Sequence, residues 1–391
     1  MRIGIAGPIS LSLLLFDGKG PDHLPGCADA PIIASIVNGL VRRGHQVVVY
    51  TTSPVITEPY VYSTGNPAIC VAPGRTTHRS RDLYRVERAG LVDLMRSHPV
   101  DIINAEWSYD YAWAALDTRV PTLVTAHDHA RTIFMHSPDA FRLVRLAISG
   151  YVLHRAQHIS ANSEYLQGRL TPSQRRKTRV IPNFFAPSLE VFSRESARRW
   201  VGSDRPVIAT VVNGFGRRKN VGAALHAFSL LQRTLPEVEL HLIGEGMGEG
   251  GPAHEYAGSA GLTPGVRFVG QLPYNETLRE IASAAVLLHP ALEESFGMTG
   301  LEAMVVGTPV IAGRDSGNMP FLLDHGNAGV LCDVRSPQAI AAALLDVLTD
   351  QARAAKIVQC AGEIARSMYS EDKVISAYVD YYRDILELDG R

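Results

Sequence analysis

From end to end, short β-branched and apolar runs alternate with longer segments of helical period, and this leaves few folds open. In the first half the strand-like runs are Arg2–Ala6, Gln46–Thr51, Ile69–Ala72, Asp101–Glu106, Thr122–His127, His158–Ala161 and Arg179–Pro182. Helical stretches such as Ala30–Arg43, Asp82–Ser97, Ala140–Arg155 and Glu164–Leu170 lie between them. The second half repeats the scheme with Val207–Val212, Glu239–Gly244, Val266–Val269, Val286–His289, Pro309–Ala312 and Gly329–Cys332. Its helices are predicted at Val221–Thr234, Glu276–Ala284, Phe296–Val306, Pro337–Leu348 and Ala352–Ser367. Continuous apolar strands between helices predict an α/β fold with parallel sheets covered on both faces.

A chain of 391 residues is too long for one typical core, so two domains of roughly 100–200 residues are expected. The segment Phe184–Arg205 reads as their connection, which sets domains at 1–190 and 206–370. The last segment, Glu371–Leu388, places Tyr378, Tyr381 and Tyr382 on or near one helical face that seeks an apolar surface.

Charge narrows the partners. The net charge of −1 gives no whole-chain basic character, so nucleic acid is not expected. The halves differ: up to residue 205 there are 24 Lys and Arg against 17 Asp and Glu, and beyond it 14 against 22. The four cysteines, Cys27, Cys70, Cys332 and Cys360, form no Cys-x-x-Cys pair, which suits a reducing compartment and disfavours a zinc site. Met1–Ala6 runs directly into a strand, and the apolar patch Leu11–Phe16 is too short to span a bilayer. A cytoplasmic protein is expected.

The densest chemistry lies at Pro290-Ala-Leu-Glu293-Glu294-Ser-Phe296-Gly297-Met298-Thr299-Gly-Leu-Glu302-Ala-Met304. A strand, a Gly-containing loop and a helix start in that order build an anion site, because the first helix amides have no internal partner and the dipole favours negative charge. Glu294 and Glu302 would repel a phosphate, so they suit hydroxyls on either side of one. A nucleotide sugar has that layout.

This stretch, with Gly307-Thr-Pro-Val-Ile-Ala312 after it, resembles the donor-site signature of glycosyltransferase family 4, with its two Glu separated by seven residues. The resemblance covers nearly the whole chain. It implies a GT-B fold, two doubly wound Rossmann-like domains facing a cleft, with the 371–391 helix crossing back onto the N-terminal, acceptor-binding domain. It also implies a retaining hexosyltransferase that uses a nucleoside diphosphate sugar.

Further motifs fall at the expected places. Gly214-Phe-Gly216-Arg217-Arg218-Lys219-Asn220 follows the first strand of the second domain, where the family holds a diphosphate with an Arg and a Lys. Lys219 matches the Lys; the usual Arg position is Gly214, which leaves Arg217 or Arg218 to substitute. Thr125-Ala-His127-Asp128 resembles the family's His-Asp pair, with His127 beside the donor sugar. Gly26, at the predicted start of the first long helix, is a candidate for the diphosphate or acceptor loop. Gly244 in Gly244-Glu-Gly246, and Gln271 and Leu272, resemble the loops that hold the base through main-chain groups. Where many members read Gly-Gly-x-Pro-Glu, this chain has Gly317-Asn318-Met319-Pro320-Phe321, so no polar role passes to Phe321.

The expected catalytic set is His127, Lys219 and Glu294, with Phe296, Gly297, Met298 and Thr299 at the diphosphate and Glu302 on the ribose. No cofactor is expected, and no metal, because cations occupy its role and the motifs lack a ligand cluster. The acceptor is a glycan, a lipid-linked or a small-molecule hydroxyl compound. The basic first half, with Arg75, Arg79, Arg81, Arg85, Arg88, Arg175, Arg176, Lys177 and Arg179, suggests peripheral contact with an anionic membrane. The competing reading is a non-catalytic nucleotide-sugar-binding subunit or sensor.

Overall fold

The structure, a computed structural model, describes residues 1–192 and 205–389. The part of the predicted connection at 193–204 lies outside the described residues. The chain forms two compact units, Met1–Asn183 with the C-terminal helix, and Phe184–Ser370.

The first unit is built on β1 (Arg2–Ala6), β2 (Gln46–Ser53), β3 (Tyr60–Tyr62), β4 (Ala68–Pro73), β5 (Ile102–Glu106), β6 (Thr122–Ala126), β7 (His158–Ala161) and β8 (Thr178–Val180). Their order is β3-β4-β2-β1-β5-β6-β7-β8. Every pairing is parallel except β3 on β4. The short β3 escapes sequence reading because three residues at a sheet edge carry too little apolar pattern. Ile3, Ile5, Ile102 and Ile103 are fully buried, as strands covered on both faces require. The sheet changes direction at β1, flanked by β2 and β5, and the crevice at the carboxyl ends beside such a switch is where ligands settle.

The helix Glu371–Asp389 packs on this unit through its tyrosines. Tyr378, Tyr381 and Tyr382 are buried. Asn104 on β5 donates to the Tyr382 hydroxyl at 2.9 Å, and the Tyr381 hydroxyl donates to Ile159 O at 3.3 Å. These bonds give partners to polar groups that burial would otherwise leave unpaired.

The second unit carries β9 (Val207–Val211), β10 (Glu239–Ile243), β11 (Val266–Gly270), β12 (Val286–His289), β13 (Val310–Gly313) and β14 (Val330–Cys332). Their order is β11-β10-β9-β12-β13-β14, all parallel. The unit takes in the chain from Phe184, so the first domain ends at Asn183 instead of at 190. The reason is packing: Phe185 and Leu189 join the core around Leu301 and Val305, and Phe185 N donates to Tyr369 O at 3.2 Å. Helices Asp110–Thr118, Ala130–His136 and Pro252–Ala260 go beyond the sequence expectation. No helix among the described residues is long and apolar enough to cross a membrane.

Candidate functional site

β12 leads into the loop that holds both Glu293 and Glu294. The helix after it runs over Met298–Val306, two residues later than expected. Gly297 caps it at φ +99°, a left-handed conformation that glycine adopts at no steric cost, and a Cβ there would lie 2.5 Å from Met319 Sδ. Phe296 therefore stands outside the helix. Its ring is buried in the core, edge-on to Tyr369 at 5.7 Å, so its side chain belongs to the packing of the unit. Its carbonyl accepts from Asn318 Nδ2 at 2.9 Å, and Asn318 N donates to Glu294 O at 2.8 Å. The departure Gly317-Asn318 thus straps the loop from behind, while Phe321 is 42% exposed against His325.

The basic turn after β9 meets this loop. Lys219 Nζ lies 3.2 Å from Glu294 Oε2, and His289 Nε2 lies 3.7 Å from the same oxygen. Burial opposes ionisation of Glu294, yet Lys219, then His289 and Arg218, hold its carboxyl below the usual range. Burial, the largest cause, pushes the His289 imidazole down, against the pull of the Glu294 carboxylate.

The two candidate arginines separate. Arg218 Nη1 donates to Glu293 O at 3.2 Å and approaches Glu293 Oε2 at 3.4 Å, and its charge acts on Glu294. Arg217 is exposed and lines another hollow with Phe215, His226 and Arg335. Gly216 turns the backbone, its carbonyl accepting from Lys219 N at 2.9 Å.

Glu302 is buried one turn into the helix, and the Tyr274 hydroxyl donates to its Oε1 at 2.8 Å. Burial raises the Glu302 carboxyl to about 7 against the Tyr274 hydrogen bond. Tyr274 stands one residue, Pro273, beyond the exposed Gln271 and half-buried Leu272 of the β11 loop, so that loop and Glu302 are joined through a side chain the sequence reading missed. Gly244, at φ +122°, donates to Gly270 O at 2.8 Å, and a Cβ there would sit 2.0 Å from Val212 O. Glu293 and Asn318 stood in the quoted motifs without a role of their own, His289 only as the polar end of an apolar strand, and Tyr274 had no local signal.

In the first unit β6 stops at Ala126, so His127 begins the loop. It is buried, with Nε2 2.6 Å from Glu106 Oε2 and its ring 4.4 Å from that of Trp107. Glu106, at the end of β5, is the unforeseen partner that orients this imidazole. Gly26 does not open the first helix, which starts at Pro31; it is exposed and its carbonyl accepts from Ser53 Oγ. Several arginines behind the membrane expectation are occupied within the unit: Arg75 by Glu87 and Asp82, Arg88 over the Trp113 ring at 3.7 Å, and Arg179 by Asp384.

Residues 32–189 match the family described as Glycosyltransferase Family 4, and residues 193–363 that described as Glycosyl transferases group 1. The chain belongs to the family 4 glycosyltransferases, enzymes of the GT-B fold. D-inositol 3-phosphate glycosyltransferase of Corynebacterium urealyticum is 30% identical over 51% of this chain, which spans about half (48%) of that protein's length. The enzyme of that name from Corynebacterium glutamicum is 26% identical over 89% of this chain and 90% of its own. Among solved structures, sucrose-phosphate synthase from Thermosynechococcus elongatus superposes with a TM-score of 0.76 at 20% identity, covering 99% of both chains. Anabaena Alr3699/HepE in complex with UDP-glucose gives 0.66 at 19% identity, over 98% of this chain and 100% of that one.

Proposed function

We propose that this chain is a retaining transferase that moves a hexose-type sugar from a nucleoside diphosphate donor to a hydroxyl acceptor. The observation that carries the reading is the contact between Lys219 and Glu294, in the loop that leads into the helix Met298–Val306. Lys219, Arg218 and the first amides of that helix neutralise charge that grows on the departing diphosphate, a form of stabilisation that acts in the transition state. Glu294 accepts hydrogen bonds from hydroxyls of the donor sugar, and Glu302 from the ribose. His127, oriented by Glu106, serves the sugar from the first unit's sequence motif.

The bond from the anomeric carbon to the phosphate oxygen breaks and the bond to the acceptor oxygen forms on the same face. The acceptor's proton passes to the leaving phosphate oxygen, so no protein nucleophile and no metal is needed. The UDP-glucose held by the Anabaena protein makes a uridine donor the first choice.

The test is to incubate purified protein with common nucleotide sugars and candidate acceptors, measure released diphosphate, and read the anomeric configuration of the product by NMR. Release with a retained configuration is expected. Binding of a nucleotide sugar without release from any donor would favour the sensor reading, and an inverted product would overturn the retaining step.

A further inference from the structure

Behind His127 runs a line of buried hydrogen bonds that ends on the C-terminal helix. Asn104 and Glu106 stand two apart on β5, so their side chains leave the same face of the sheet. Glu106 is fully buried, and each of its carboxyl oxygens has its own partner. Asn104 Nδ2 donates to Oε1 at 2.9 Å, and His127 Nε2 lies 2.6 Å from Oε2.

Asn104 is itself held on three sides. The Tyr382 hydroxyl, 278 residues along the chain, takes the other Nδ2 hydrogen at 2.9 Å. Asn104 Oδ1 accepts from Thr125 Oγ1 at 2.7 Å, and Ser160 Oγ stands 2.7 Å behind that hydroxyl. Burial, then the charges of Tyr378 and Glu106, hold the Tyr382 hydroxyl well above its ordinary value, so it stays neutral. With both amide hydrogens and the carbonyl oxygen engaged, the amide has one direction: turned over, its Oδ1 would face the Glu106 oxygen.

That direction passes down the line. The Glu106 oxygen nearest Asn104 must accept, which leaves Oε2 for His127. A neutral imidazole has one nitrogen that donates and one that accepts, and the bond made by the first sets the role of the second. His127 Nδ1 has no hydrogen bond to the described residues. The Trp107 ring lies 4.4 Å from the imidazole and hinders it from turning over. We infer that Asn104 and Tyr382 are positioning residues for the reaction: through Glu106 they keep the hydrogen on Nε2 of His127 and leave Nδ1 to accept from a substrate hydroxyl. The word substrate rests on the transferase reading above; the tautomer rests on the buried bonds alone.

Histidine-selective 15N NMR of the intact, ligand-free protein tests it, because a ring nitrogen with a hydrogen and one without have well-separated shifts. The signals missing from a His127→Gln sample identify this ring among the 14 histidines. Hydrogen on Nε2 is expected, and hydrogen on Nδ1 would overturn the inference without any further variant. Glu106→Gln makes the sharper case. Asn104 keeps the new carboxamide's oxygen towards itself, so the NH2 meets Nε2 and the hydrogen of His127 moves to Nδ1. Adding Asn104→Ala or Tyr382→Phe frees the carboxamide to turn, and the Nε2–H form should return in part. An unmoved hydrogen in Glu106→Gln, or a pure Nδ1–H form after either addition, would overturn the positioning role.

Turnover in Glu106→Gln should fall about tenfold, as for the loss of one hydrogen bond to substrate, with the melting temperature checked alongside. A moved hydrogen with wild-type turnover would remove Nδ1 from the reaction. Wild-type protein that turns over no donor would count against the transferase reading and leave the tautomer result standing.

Discussion

The Tyr274 hydroxyl donates a 2.8 Å hydrogen bond to Oε1 of Glu302, tying the β11 loop to the carboxyl proposed to hold the ribose. A hydrogen bond to a charged group is typically worth ~1.5–3 kcal/mol. Tyr274→Phe should therefore weaken UDP binding about tenfold near neutral pH, and raising the pH should recover part of the loss. Calorimetric titrations between pH 6 and 8.5 would check this; a uniform loss at every pH would mean that Tyr274 acts by packing alone.

The same carboxyl predicts a pH slope in stability. Its ordinary value is 4.5 and burial raises it to about 7, so between those values the folded protein binds more protons than the unfolded chain. The contribution is fully present below 4.5 and is lost as pH rises through 7. Urea unfolding of the ligand-free protein should show stability falling over that window, with a shallower fall in Glu302→Gln. Nucleotide binding should have the opposite slope, strengthening as Glu302 ionises, and should release protons measurable by calorimetry in buffers of different ionisation enthalpy.

Lys219→Ala removes the cation 3.2 Å from Glu294. Turnover should fall by more than the Michaelis constant rises, since the charge that Lys219 meets develops in the transition state. Steady-state kinetics on the donor identified above would show it, and wild-type constants would remove Lys219 from the site.

Asn318→Ala cuts the strap to Phe296 O and leaves a buried carbonyl unpaired, at a cost of about 1–3 kcal/mol. The melting temperature should drop by several degrees, and UDP affinity should fall with it because Glu293 to Gly297 lose their backing. Glu294 and Lys219 stay in place chemically, so a drop in affinity without a change in melting would point to a direct contact instead.

Activity should survive chelation. Lys219 and Arg218 supply positive charge at the Glu294 loop. Complete loss in EDTA, restored by magnesium or manganese, would contradict this.

What the sequence by itself determined is local. Runs of β-branched residues broken by helical periods located most strands to within a few residues, because a strand whose two faces are both covered by helices demands continuous apolar side chains. The motif from Pro290 to Met304 announced a strand, a glycine loop and a helix start for the same reason, since capping chemistry is written in neighbouring residues. Even so, the helix starts at Met298 instead of Phe296, where Gly297 turns the chain at φ +99° and Phe296 buries its ring in the core.

Only the tertiary structure decided which groups meet. Lys219 and Glu294 are 75 residues apart and touch because β9 and β12 are neighbours in the sheet. Tyr274 reaches Glu302 across 28 residues, and Arg42 reaches Glu371 across 329. Arg217 and Arg218 are adjacent in one turn, yet the turn sends the first into solvent and the second to Glu293. Strand order and the direction of a side chain out of a turn arise from packing over the whole unit, and no local pattern encodes them.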